Sequence, residues 1–206
     1  MKRVMGIALL ALALPMAAFA TNSVDFTNSG GTLSGSAAGL SLTGSELIAV
    51  NGMNGMGLVQ GNLGSVSFTT AALVSQVSNG NITTYTFAAG GTFVIMGNGG
   101  AKGIPNGVIF NGTFSNQITV TASKLSNGSY IYTLQGGITG AWMNGTMEDG
   151  ATVAATFATN TPLFGGPIKF GSGDTTIASV PEPATLGLLG TGLVGLAGIL
   201  RRKMKA

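Results

Sequence analysis

Glu148-Asp149 sets two carboxylates side by side, directly before Gly150. Carboxylate pairs serve glycoside hydrolysis when they face each other across a cleft, and they bind calcium when several oxygens converge. Adjacent acids before a glycine read first as a turn. The sharper reading is a calcium site completed by Asp174 from Gly171-Ser172-Gly173-Asp174-Thr175, although no spacing here matches a calcium loop. Asp25 and Glu46 stand alone. The chain has 0 His and 0 Cys, which excludes the usual catalytic triads, thiol nucleophiles and imidazole metal sites. Lys102, Lys124 and Lys169 could activate a serine, but no motif marks a Ser–Lys pair. The expectation is no enzymatic activity, no metal and no cofactor. Trp142, Tyr85, Tyr130 and Tyr132 could line a sugar-binding face, yet at alternating strand positions they read as core. Tyr130 and Tyr132 should point the same way, since strand side chains alternate.

The elements that would position these residues are β throughout. Short runs rich in Thr, Val, Ile, Phe and Tyr alternate with Gly and Asn. Strands are expected at 23–27, 32–42, 47–50, 65–70, 82–87, 91–96, 108–114, 117–121, 130–134, 138–142, 152–157 and 168–170. Asn-Gly occurs at 51, 54, 79, 98, 106, 111, 127 and 144. Both residues of that dipeptide tolerate positive φ, as type I′ hairpin turns require. Asn127-Gly128 and Asn79-Gly80 are therefore hairpin candidates, and Asn111-Gly112, inside apolar sequence, suggests a bulge. The fold class expected is all-β, an antiparallel β-sandwich or jelly-roll-like domain, with a β-barrel or a β-solenoid as alternatives. A solenoid needs a fixed period. Gly-Gly-Thr at 30–32 and 90–92 and Asn-Gly-Thr at 111–113 and 144–146 share none.

The C-terminus is organised differently. Val180-Pro181-Glu182-Pro183 is followed by an uncharged apolar run from Ala184 to Leu200, then by Arg201-Arg202-Lys203-Met204-Lys205-Ala206. As a helix, residues 184–200 would extend roughly 26 Å at about 1.5 Å per residue, the short end of a membrane span. Gly187, Thr191 and Gly195 would share one face of it, suited to close packing against a membrane partner. The basic cluster of Arg201, Arg202 and Lys203 would stay cytoplasmic as a stop. Pro181 and Pro183 lack N–H donors and hold the chain around Glu182 extended, in a form a membrane-embedded protease could grip.

This tail resembles a PEP-CTERM sorting domain, carried by Val180, Pro181, Glu182 and Pro183 with the apolar run and Arg-Arg-Lys behind them. The resemblance implies an exosortase-like membrane enzyme as partner. It also implies a bacterial host that makes exopolysaccharide and biofilm matrix. It covers roughly residues 179–205 and says nothing about the passenger's own activity.

The N-terminus points the same way. Lys2 and Arg3 precede an apolar core from Val4 to Leu14, Pro15 breaks it, and Ala18-Phe19-Ala20 offers a small-x-small cleavage site before Thr21. This is the pattern of a signal peptide, with the Sec-type export machinery and signal peptidase as partners. The expected organisation is a signal helix at 1–20, a β-rich passenger at 21–178 and the sorting tail with its transmembrane helix at 179–206.

The whole chain has a formal net charge of +3, but the cations cluster in these ends. The passenger keeps Lys102, Lys124 and Lys169 against Asp25, Glu46, Glu148, Asp149 and Asp174, three minus five, a net of −2. That balance gives no support for nucleic-acid binding. The function expected is an exported, non-catalytic surface or extracellular-matrix protein, transiently anchored by its tail and then held at the surface with exopolysaccharide. The alternative is a secreted carbohydrate-binding module or glycan-acting enzyme.

Overall fold

Thirteen strands and one 3-10 turn, Met53–Gly55, form in residues 23–178, the part that this computed structural model describes. The strands are β1 Ser23–Ser29, β2 Thr32–Ser36, β3 Gly39–Asn51, β4 Val59–Thr69, β5 Leu73–Asn79, β6 Ile82–Phe87 and β7 Gly90–Asn98. They continue with β8 Asn106–Phe114, β9 Ile118–Lys124, β10 Tyr130–Trp142, β11 Met147–Thr159, β12 Ile168–Lys169 and β13 Ser172–Ala178. Every pairing is antiparallel. The expected signal helix and C-terminal helix fall outside the described residues. Among the described residues no helix is long and apolar enough to cross a membrane.

The all-β expectation holds, and the barrel alternative is the architecture that forms. The order β11-β13-β1-β3-β4-β7-β8-β10 is closed by pairing of β10 with β11, giving an eight-stranded antiparallel barrel. A sandwich, the leading expectation, would leave two separate sheets. Here β10 prevents that, because β11 holds one of its edges and β8 the other. A solenoid would stack parallel strands, and none occur among the described residues. Eight strands enclose an interior just wide enough for side chains to fill.

Two long strands change partners partway along. The first half of β10 pairs with β9 from Tyr130 to Gln135, and its second half pairs with β8 from Ile138 to Trp142. Gly136 and Gly137 lie at the fork. The branch continues outward as β9-β6-β5, with β5 as its outermost strand. Likewise β3 pairs with β2 over Gly39–Thr43 and with β1 over Glu46–Asn51.

One apolar cluster runs through barrel and branch. In the barrel, Phe68, Phe93 and Phe114 meet at 5.8–6.2 Å between ring centres. Under the branch, the rings of Tyr130, Tyr132, Phe157 and Phe170 follow one another at 5.2–5.8 Å. Burying such a ring contributes roughly 1.5–3 kcal/mol.

Several local expectations are met and others corrected. Asn127-Gly128 does connect β9 to β10, with Gly128 at φ 86° and the Asn127 Oδ1 accepting from the Ser129 N–H at 3.0 Å. The β5–β6 hairpin closes on Asn79 opposite Ile82, so its turn residues are Gly80-Asn81 rather than Asn79-Gly80. Asn111-Gly112 itself is in register, and the β7–β8 ladder slips on either side of it: Phe110 pairs with Ile95 but Val108 with Met96, and Gly112 pairs with Phe93 but Phe114 with Gly90. The single strand expected over 32–42 is two strands, broken at Ala37-Ala38. The two expected at 130–134 and 138–142 are one.

Candidate functional site

Among the described residues the acids lie apart rather than in one cluster. Glu148 and Asp149 lie within β11 rather than in a turn, and the register slips there so that Ile138 meets Ala151 while Gly140 meets Glu148. The bulge sends the two carboxylates to different environments. Glu148 is 8% exposed, and its Oε1 accepts from Trp142 Nε1 at 3.1 Å. Asp149 is exposed and accepts from the Thr139 hydroxyl. Asp174 is exposed on β13 opposite Ala154 and Thr27, so it does not join them. Asp25, opposite Thr176, is its diagonal neighbour on the outer wall. Among the described residues no three acids converge on a common point. The calcium reading is thereby corrected, because the β-ladder separates its three members.

Trp142 is half-buried in the barrel mouth. Its ring lies 6.0 Å from that of Phe26 and 5.8 Å from that of Phe110. With both neighbours and a carboxylate engaged, it packs as part of the core rim. Tyr130 and Tyr132 do share a face, stacked at 5.8 Å. Tyr132 is fully buried, and its hydroxyl donates to the Thr161 carbonyl at 3.3 Å. Tyr85 meets Phe164 edge to face at 5.3 Å. These aromatics pack against one another within the branch.

Burial raises the phenol of Tyr132 far above its usual range, with the neighbouring Tyr85 and Tyr130 adding to the effect. Burial and Tyr130 likewise raise Tyr85. A raised phenol keeps its proton in the folded state after the unfolded chain has lost it, so stability is intact below pH 10 and falls above it. For Tyr132 the expected slope above pH 10 is about 1.4 kcal/mol per pH unit. Urea midpoints measured across pH 8 to 12 should be level and then drop. A Tyr132→Phe variant should drop less steeply. Equal slopes in both proteins would refute the assignment.

Sequence reasoning missed a shallow groove among the described residues. A groove of about 470 Å³ lies on the outer wall at the β10 fork. Gln117 and Thr119 border it from the β9 side, Gln135 from β10 and Thr152 from β11, with Gly136-Gly137 between them. The register sets Thr119 opposite Gln135 and Gly137 opposite Thr152. The fork opens the wall, and Gly137 sets no side chain over the floor, whereas a side chain at Gly136 would point inward onto Phe114 and Ile118. Amide and hydroxyl groups share the lining with the apolar Val153 and Ala154, and no charged side chain takes part. Such a surface can hydrogen-bond a neutral polyhydroxylated chain. It holds no carboxylate pair and no aromatic ring.

The sorting residues Val180, Pro181, Glu182 and Pro183, the cleavage residues Ala18, Ala20 and Thr21, and the stop residues Arg201, Arg202 and Lys203 all lie outside the described residues. Comparison with known families bears on the tail. Residues 179–203 match the PEP-CTERM protein-sorting motif. The chain carries a PEP-CTERM sorting signal. That signal implies export, processing by an exosortase-type membrane enzyme and membrane-associated sorting that ends at the cell surface. No curated protein and no solved structure matches the chain. The PEP-CTERM match spans only the tail, so the passenger must be read from its own surface.

Proposed function

We propose that this is an exported, non-catalytic surface or matrix protein. Its β-barrel passenger is delivered through the PEP-CTERM tail and held in extracellular polymer after an exosortase-like enzyme has processed that tail. The observation that carries the reading is the motif match at residues 179–203. The passenger's character supports it: net charge is small, the acids are dispersed, and the open groove is neutral. The finer reading is that Gln117, Thr119, Gln135 and Thr152 hold the chain of a neutral exopolysaccharide. This favours binding over turnover, since hydrolysis of a glycoside would need two carboxylates beside the bound sugar.

The test is fractionation of the producing cells. Mature passenger should sediment with the extracellular polymer, whose chain length stays unchanged on incubation with it. A Gln117→Ala/Gln135→Ala variant should shift to the soluble fraction, with binding weakened about tenfold for the loss of one or two hydrogen bonds. Wild type found wholly soluble would sink the matrix reading. Shortened polymer would sink the non-catalytic one.

A further inference from the structure

The outer edge of the β9-β6-β5 branch is built unlike the rest of the molecule. Leu73 is partly buried, but every residue from Val74 to Asn79 is exposed, so both faces of β5 meet solvent. Val74 is 55% and Val77 63% exposed, and Ile82 across the hairpin is 49% exposed. Among the described residues β5 pairs with β6 alone. The Lys124 N–H donates to the Asn81 carbonyl on the β9 side. Alternation then turns the backbone groups of Ile82, Thr84 and Thr86 toward Asn79, Val77 and Ser75 of β5. The N–H and C=O groups of Gln76 and Ser78 therefore face away from the sheet with no strand beside them.

Exposed edges are ordinarily blunted by lysine, proline, bulges or covering loops, because an open row of backbone groups templates another strand. Here Leu73-Val74-Ser75-Gln76-Val77-Ser78-Asn79 and Ile82-Thr83-Thr84-Tyr85-Thr86-Phe87 contain no charge and no proline. At the start of the strand a register slip lies at Val74 and the Leu73 N–H donates to the Ala37 carbonyl of the β2–β3 loop at 3.0 Å, so the open, regular part of the edge is Ser75–Asn79.

We propose that β5 is a strand-addition site for a second copy of this chain. Two β5 strands join antiparallel about a dyad at Gln76, the strand's midpoint. Isologous contacts of this kind are self-complementary, each residue meeting its symmetry partner. Around that dyad Gln76 bonds Gln76, and each Val77 covers the other copy's Ser75. The joined branches make one six-stranded sheet, β9-β6-β5 continued by its mate. Charge argues for self-pairing. Partner choice is set largely by complementary charge, and this edge has none to select a different protein or to repel its own copy. The size of the contact sets its strength. Two seven-residue strands bury well under the roughly 1,200 Å² of a stable interface. The pair therefore forms at the high local concentration of a cell surface rather than in dilute solution.

The test uses the full chain in detergent, by sedimentation velocity over a concentration series. Wild type should dimerise increasingly with concentration. Val77→Lys should weaken dimerisation at least tenfold. Met143→Lys, an equally exposed site (64%) at the far end of β10, should leave it unchanged. The natural chain has 0 Cys, so Gln76→Cys reports directly. Residues paired across a ladder have Cα atoms about 5.5 Å apart, within disulfide range. Mild oxidation should give a covalent dimer. A wild type that stays monomeric up to about millimolar, or a Gln76→Cys chain that does not cross-link, overturns the proposal. So does a Val77→Lys chain that associates like wild type, which would place the contact in the tail or on another face.

Discussion

Cells producing a Glu182→Ala/Pro183→Ala chain should retain it in the membrane fraction, with mature protein outside the cell reduced about 10- to 100-fold. The argument starts from the backbone. Pro181 and Pro183 remove two N–H donors and fix two φ angles, and the residue before each proline is pushed to extended geometry. Glu182 is the one charge in Val180-Pro181-Glu182-Pro183, within the matched sorting motif. A processing enzyme that reads this segment gains most from its one charge, since a hydrogen bond to a charged group contributes about 1.5–3 kcal/mol, or roughly 10- to 100-fold. Pro183→Ala adds the entropic cost of ordering a looser peptide. Cleavage between Ala20 and Thr21 should be unaffected, because it depends on residues at the other end of the sequence. The measurement is an immunoblot of membrane, surface and medium fractions against wild type. Unchanged release of mature protein would show that Val180-Pro181-Glu182-Pro183 is not the signal being read.

How far the sequence spoke depended on whether a signal was local. The tail was legible because a proline-flanked acid, an apolar run and a basic stop are contiguous. The β9–β10 hairpin was legible because Asn127-Gly128 stands between two alternating runs, and register then fixed Tyr130 and Tyr132 on one face. β5 was missed because Leu73-Val74-Ser75-Gln76-Val77-Ser78-Asn79 buries almost nothing and so lacks the in–out alternation that marks a strand. β13 was missed because Gly173 and Asp174 are poor strand formers. Flanking pairing from β1 and β11 overrides that preference. The choice of barrel over sandwich rests on β10 meeting both β8 and β11, and no short window of sequence encodes that closure. The groove was illegible for the same reason. Gln117, Gln135 and Thr152 look like ordinary outward residues until the fork at Gly136-Gly137 brings them together. Glu148-Asp149 misled because two acids before a glycine suit a bulge as well as a turn.

The barrel's closure makes the largest stability prediction, at Gly140. Gly140 on β10 lies directly opposite Gly112 on β8, and the Phe110 ring is packed over both. A methyl group at Gly140 would overlap the Asn111 carbonyl oxygen, lie 2.5 Å from Gly112 Cα and 2.8 Å from Phe110 Cζ. Two of those three obstacles are backbone, so side-chain repacking cannot relieve them. β8 must instead separate from β10, opening one of the two edges by which β10 is held in the closed barrel. Gly140→Ala should therefore cost about 3 kcal/mol, the upper part of the usual range for overpacking. In a chain of this size that is a fall in Tm of about 6–12 °C. Gly57→Ala, where a new methyl group meets nothing within 4 Å, should stay within about 0.5 kcal/mol of wild type. Phe110→Leu combined with Gly140→Ala should recover little, because it removes the ring and leaves the carbonyl. Trp142, the only tryptophan of the chain, ends the β8–β10 ladder and packs on Phe110. Its fluorescence should therefore follow the loss of stability in thermal and urea unfolding. A Gly140→Ala chain that melts within about 2 °C of wild type would mean that β8 and β10 can move apart freely. The barrel would then be held shut by β10–β11 pairing alone, rather than by both edges of β10.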